Sequence, residues 1–421
     1  MYLSKMECVN RTHTLTLISS PNPKPMKTPS LLFSLIAGVL LLSCGQKNSN
    51  NVIDIDGHKV HFIDIREVSD TIAKSLSDFI ADVSFVKLET NEESVISSGK
   101  WLAGERYILI FIQKNGLLQF SRDGKFIRKL VSVGEGPQEI SAYRAPATIY
   151  NDNRLIVQSG RNRSYLLHIN LDTGEFLDNI PVSLKGPLVN IEVRDSIIFC
   201  APFVGAGENG RYYMFSQSFS GDIIDTIPAP PLPLRNNYAD LLIKVGNKFH
   251  YHPVNSDTLF KINGDVLEPY YIFHTGRTTE DMRAKVGDIS FVITSETKAY
   301  FIIRKYTITK VERFDNGNGR TGVMTNGSVQ YIFVDKNRGS ASVIYPDLRN
   351  DFLGKQFEFM PNAVFNSEHF LMEISAISLL KIVKQIKENK DIIVKSREQL
   401  ISVGKDVSEE DNPILLIGRV K

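Results

Sequence analysis

Glycine turns between short β-rich runs recur along this chain at nearly constant spacing, and that period limits the fold more than any single motif. LLQFSRDGKFIRKL (117–130) is two strands around an Asp-Gly turn at Gly124, the strongest short hairpin signal. YLLHINLDTGEFLDNI (165–180) turns at Gly174, YYMFSQSFSGDIIDTI (212–227) at Gly221, and KFHYHPVNSDTLFKINGDVLEPYYIF (248–273) at Gly264. The gaps between these four glycines are 50, 47 and 43 residues. A period of about 40–50 residues made of short antiparallel strands is the signature of propeller blades. One such sheet cannot bury both its faces alone, so the units must stack. Tyr107–Ile112 (YILIFI), apolar throughout, is a strand of that kind.

The next comparable turn, in YIFVDKNRGSASVIYP (331–346), falls at Gly339, 75 residues after Gly264. The interval contains TTEDMRAKVGD (278–288), which reads as helical and as an insertion in one unit. Counting from about residue 83 to residue 374 gives six units, with five or seven as the alternatives. The fold class expected is therefore all-β: a six-bladed β-propeller with short C-terminal helices and a final strand. A β-sandwich is the rival, but it does not account for the period. In the tail, Leu379, Ile382, Val383 and Ile386 sit at helical spacing. The positions from Ile393 to Val403 suggest a second short helix ending at Gly404. DNPILLIGRVK (411–421) reads as a last strand that docks on the body rather than dangling.

The amino end carries a different signal. Leu31–Ser43 (LLFSLIAGVLLLS) is a 13-residue apolar run behind Lys27, too short to span a bilayer as a helix, and it ends in LLSC before Gly45. That pattern resembles a lipoprotein signal, with Cys44 as the lipidated residue; several acyl chains anchor firmly where one is marginal. The organisation expected is an over-long start at 1–25, a signal peptide at 26–43 with Met26 as initiator, a polar tether at 44–51, and the propeller at 52–421 including a helical segment at 375–404. Of the three cysteines, Cys8 precedes the cleavage point and Cys44 carries lipid, so Cys200 is left without a disulfide partner. The formal charge of +2 also belongs to the leader. Residues 1–43 hold Lys5, Arg11, Lys24 and Lys27 against Glu7, so the mature chain is near −1 and nothing draws it to nucleic acid. Gly45-Gln46-Lys47-Asn48 lacks an acidic cluster of the surface-export kind, which favours the periplasmic face.

Longer stretches resemble the six-bladed propeller lipoproteins of the Bacteroides type, a family without an assigned biochemical role. The resemblance runs through LSDFIADVSFVKLET (76–90), FSRDGKFIRKLVSVGEGPQEI (120–140), SDTLFKINGDVLEPYYIFHTGR (256–277) and EEDNPILLIGRVK (409–421). It implies a cell-envelope protein. This chain departs from the family's Gly-x-Gly-Pro-Gly-Glu-Tyr at Gln138 and Ile140, and from a paired glycine at Gly354-Lys355.

Candidate chemistry is sparse. VGEGPQEI (133–140) lacks the Lys-Ser/Thr of a phosphate loop and reads as a tight link between blades, with Gly134 and Gly136 at positive φ. Glu135 and Glu139 are its acids, at a channel rim. His250 and His252 flank Tyr251 in a strand and so face one side, as two ligands of one metal would; Asp257 and His274 are third-ligand candidates by proximity in sequence. Two histidines without a defined third more often pack. Cys200 reads as a buried small apolar residue. The loops at 205–211 and 228–237 are further rim candidates. The expected function is a binding module for a protein, peptide or glycan, held to a membrane by lipid and needing no cofactor. The alternative is a metal-dependent, lactonase-like hydrolase with Ca²⁺ or Zn²⁺ in a central channel.

Overall fold

A computed structural model describes residues 51–421 apart from 56, 98, 141–144, 161–162, 204–206, 230–240, 246–247, 254–255, 264–265, 277–283, 316–320, 345–348, 355–362, 367–368, 390–391 and 393. The leader, Cys44 and the turn at Gly264 lie outside the described residues. The described chain is mostly β and forms six sheets. Sheet 1 holds 99–103, 107–112, 116–121, 126–133 and 139–140; sheet 2 holds 147–150, 154–158, 165–170 and 180–181. Sheet 3 holds 188–194, 197–202, 212–217 and 223–228. Sheets 4, 5 and 6 are built on 241–274, 289–344 and 363–374 with 414–420.

Each of these last three sheets takes its outermost strand or strands from the amino end. The hairpin 51–64 joins sheet 4, with 58–64 parallel to 266–274. Residues 71–72 add to sheet 5 beside Val343 and Ile344. Strand 80–87 completes sheet 6 antiparallel to 414–420, from Ile414↔Lys87 to Val420↔Ile80. These early strands are invisible to a repeat search because they follow no period. They cover three sheet edges that would otherwise invite pairing with other chains.

The period itself has a physical cause. The turn between the third and fourth strands of a sheet abuts the fourth strand of the sheet before it. Gly124 of sheet 1 packs on Lys87 of sheet 6, Gly174 of sheet 2 on Arg128 of sheet 1, and Gly221 of sheet 3 on Pro181 of sheet 2. All three have positive φ, between +79° and +94°. Handedness and lack of space therefore both select glycine.

Strands apolar on both faces feed two cores at once. In 107–112, Ile108, Ile110 and Ile112 enter the core shared with sheet 6, while Leu109 and Phe111 enter the core shared with sheet 2. Ile198 and Cys200 pack towards sheet 2, and Phe199 and Ala201 towards sheet 4. Tyr271 and Phe301 lie in the core between sheets 4 and 5, and Tyr300 and Met372 in that between 5 and 6. Each sheet thus contributes to two of six cores, and sheet 6 shares one with sheet 1 through Leu371, Leu415 and Trp101. Buried amides add ties: Gln119 donates to Leu171 O at 2.7 Å, from sheet 1 to the end of the third strand of sheet 2.

The helices fall as the spacing predicts. Ala376–Glu388 buries Leu379, Ile382, Val383 and Ile386, and Arg397–Val403 ends at Gly404. Both belong to the core of sheets 5 and 6. Arg397 caps the first helix by donating to Ile386 O and, at 3.1 Å, to Asn389 O. The last strand docks more deeply than expected, lying between 369–374 and 80–87.

Two expectations are corrected. Residues 284–288 form a turn with Gly287 at φ 92°, not a helix, and 278–283 lie outside the described residues. The extra length of sheet 5 is instead a long hairpin, Tyr300–Asp315 paired with Thr321–Asp335. Nor do Gly134 and Gly136 have positive φ. They are glycine because the Glu139 side chain occupies the space a Cβ would need.

Gly124 and Gly57 separate the two causes, since both have positive φ but only Gly124 is crowded. Gly57→Ala is expected to cost about 1 kcal/mol and Gly124→Ala about 3 kcal/mol. Urea unfolding followed through Trp101, the single tryptophan and buried, checks the difference. Equal losses would contradict the inter-sheet role of the turn.

Candidate functional site

The histidine strand 248–252 lies beside the edge strand 241–245 in sheet 4 and packs against sheets 3 and 5. Tyr251 packs on Tyr213 of sheet 3, with ring centroids 5.4 Å apart. His250 and His252 face sheet 5, as the alternation predicts: His252 lies 4.9 Å from the ring of Phe291, and His250 Nδ1 is 2.7 Å from Glu296 Oε1. The two imidazoles nevertheless take separate partners. His252 Nε2 donates to Ser256 O at 2.8 Å, and burial lowers its pKa to about 4.

His250 belongs to a buried charged group. Lys336 Nζ donates to Glu296 Oε1 and to Thr297 O, both at 2.6 Å, and sits 4.0 Å from the centre of the Phe301 ring. Burial lowers the pKa of Lys336, and the Glu296 charge opposes that shift. Both donors converge on Oε1. Glu296 Oε2 and His250 Nε2, each buried, have no hydrogen-bond partner among the described residues. A carboxylate on Nδ1 fixes the imidazole's orientation, as in catalytic and metal-binding histidines. Here, however, the far nitrogen points into the inter-sheet core. Glu296 and Lys336 carried no sequence signal beyond a charge closing an apolar strand and a lysine in a turn, 40 residues apart.

The other candidates hold backbone. Asp257 accepts from Thr275 N and Thr275 Oγ1, each at 2.8 Å, and lies 3.5 Å from His274 Nδ1. Glu139 Oε2 accepts from Gly136 N at 2.7 Å, which closes the 134–139 loop on itself. Glu135 is exposed. Both glutamates belong to sheet 1, whereas the histidines belong to sheet 4. Among the described residues, no group of three His, Cys, Asp or Glu is placed to hold a metal. Cys200 is buried as expected, and burial pushes its thiol pKa up. Residues 205–206 and 230–237 of the two further rim loops lie outside the described residues.

A cleft of about 470 Å³ opens beside helix 397–403, lined by Asp82, Phe352, Lys395, Arg397 and Glu398. Its charges are largely engaged. Lys395 pairs with Asp351 at 3.2 Å, Asp82 with Arg419 at 2.6 Å, and Arg397 caps the neighbouring helix.

The chain belongs to the family described as a domain of unknown function, DUF4934, which matches residues 60–419. It resembles the crystal structure of a Bacteroides fragilis NCTC 9343 protein described as "Putative exported protein (BF0058)", at 17% identity and a TM-score of 0.55. That match covers 83% of this chain and 99% of the other. A member of the DUF4221 family from Bacteroides vulgatus matches at 12% identity and a TM-score of 0.43, over 81% of this chain and 97% of that one. No curated protein matches. Among the described residues, no helix is long and apolar enough to cross a membrane.

His252 sets a pH dependence. Its folded pKa of about 4 lies below the usual histidine value of 6.5, so the unfolded chain binds the proton more readily. Its contribution to stability is complete above pH 6.5 and falls as pH drops towards 4, by about 2–3 kcal/mol. Urea unfolding of His252→Gln between pH 7 and 4.5 should show that much less acid destabilisation than the parent. An unchanged acid slope would contradict the assignment.

Proposed function

We propose that this protein is a lipid-anchored, extracytoplasmic six-bladed β-propeller that binds a protein, peptide or glycan through one end of its ring and catalyses no reaction. Several features support the ring. Each of the six cores is shared by two sheets, the last linking sheet 6 back to sheet 1. The first strands of successive sheets also touch in turn: 363–366 with 99–103, 99–103 with 147–150, 147–150 with 188–194, and 188–194 with 241–245. Strands nearest a common axis make such contacts.

The observation that carries binding over catalysis is the commitment of the nominated side chains. Glu139, Asp257 and His252 each hold local backbone, and His250 is locked to a buried carboxylate. Groups so placed have little freedom to exchange protons with a substrate. The Glu296–His250 pair favours the hydrolase reading only in part, because its open nitrogen is buried. The anchor follows from LLSC at 41–44 behind an apolar run, and we place the protein on the periplasmic face.

Two measurements test this reading. Membrane fractions of producing cells should contain the protein with an acyl adduct on Cys44, and Cys44→Ala should appear in the soluble fraction. Unchanged membrane association of that variant, with no adduct by mass spectrometry, would defeat the anchor. Metal analysis of the purified protein, with a screen of lactone and ester hydrolysis, is expected to give neither stoichiometric metal nor turnover. Stoichiometric Ca²⁺ or Zn²⁺ with turnover abolished by chelation would establish the hydrolase instead.

A further inference from the structure

The hairpin of sheet 5 is longer than the sheet needs. Strands 300–315 and 321–335 stay paired from Tyr300↔Asp335 to Asp315↔Thr321. Their neighbours stop early: 289–296 reaches only Thr307, and 340–344 reaches only Ile332. Ile308 is still bonded to the turn at 287–288. From Thr309 to Asp315 the ribbon therefore has two strands and no further strand pairs with either edge among the described residues. At about 3.3 Å per residue, that is an arm of roughly 23 Å.

The arm is apolar towards its end. Phe314 is 46% exposed and Met324 49%. They share a face, because Phe314 pairs with Gly322, two residues from Met324 on the facing strand. The ring of Phe314 covers Gly322, where a Cβ would strike it. Isolated two-stranded ribbons are marginal in water, and one that exposes large apolar side chains calls for a cover. On the same strand Lys310 pairs with Glu312, which lies opposite Met324, and Arg313 stands on the other face. Exposed apolar side chains at the end of such a ribbon suit the headgroup boundary of a bilayer.

The position of the tether selects that cover. Asn51 pairs with Phe62 in sheet 4. Three residues further on, Ile65 O accepts from Lys305 Nζ at 2.9 Å, and Lys305 lies at the arm's base. The chain thus enters the domain beside the root of the arm. Cys44 is seven residues before Asn51, so a fully extended tether reaches at most about 25 Å. That greatest reach is about the length of the arm.

We propose that the hairpin 300–335 is a membrane-docking arm that lays Phe314 and Met324 into the interfacial layer of the bilayer in which Cys44 is anchored. This rests on the lipidation of Cys44. Docking at two points holds the ring in one orientation, with the arm's end of the propeller facing the lipid and the opposite end free for a partner.

The test uses the full acylated chain in phosphatidylethanolamine–phosphatidylglycerol vesicles, with and without brominated acyl chains. Trp101 is buried and gives the baseline. Phe314→Trp and, separately, Met324→Trp should add blue-shifted emission that brominated lipid quenches about twofold or more. Emission no more quenched than the Trp101 baseline, from protein that floats with vesicles and carries the acyl mass, would overturn the arm's role and leave the anchor standing. Absence of the acyl mass would overturn the anchor, and with it the reach on which the arm depends. Unquenched emission with cross-linking between arms through Met324→Cys would assign the arm to a second copy of this chain instead.

Discussion

Strands that are apolar on both faces must be covered from both sides, and that requirement governs the structure. Ile108, Ile110 and Ile112 face one core while Leu109 and Phe111 face another, so sheet 1 is stable only between two neighbours. Adding a sheet to cover one face exposes the outer face of the newcomer. The need ends only when the last sheet meets the first, which is what the ring we propose accomplishes. The seam is a strand from the other end of the chain: 80–87 pairs with 414–420, and Val86, Leu415 and Ile417 join the core of sheet 1. Closing a loop of that length costs entropy that rises only slowly with chain length, so a long seam of hydrogen bonds and apolar contacts outweighs it.

The same requirement decides where chemistry can lie. With both faces of every sheet taken up by packing, polar side chains inside serve as ties. Gln119 bridges to Leu171 O, and Lys336, Glu296 and His250 fasten sheet 4 to sheet 5. A buried ion pair of this kind adds little net stability, while removing one partner leaves a costly bare charge. It specifies how two sheets meet. Function is left to the ends of the proposed ring and to whatever projects from it, and the hairpin 300–335 projects furthest from its own sheet among the described strands.

Much of the architecture was legible because it obeys short-range rules. The turn glycines Gly124, Gly174 and Gly221 recur because each abuts the sheet before it, and Leu379, Ile382, Val383 and Ile386 mark a helix by their spacing alone. The early strands 51–64, 71–72 and 80–87 were not legible as sheet edges, since their partners lie some 200 or more residues away. The extra length between Gly264 and Gly339 points in sequence to a helical insertion at 278–288, whereas the hairpin 300–335 absorbs it, because length alone does not say which element does. Side-chain chemistry was the least legible. His250 and His252 do share a face, but Glu296, the partner of His250, and Lys336, which pairs with Glu296, come from another sheet, and no spacing in sequence records that meeting.

Native-state hydrogen exchange at the seam tests the closed ring most directly. Backbone amides of Leu415–Ile417 and of Ser84–Val86, which face one another, should open with the same free energy as the amides of Ile108–Phe111. A closed ring cannot release its seam without uncovering the cores on both sides, so all should exchange only by global unfolding. Seam amides that open at a free energy lower by about 2 kcal/mol or more, while Ile108–Phe111 stay protected, would contradict the account. Such a result would mean that sheets 1 to 5 stand without closure.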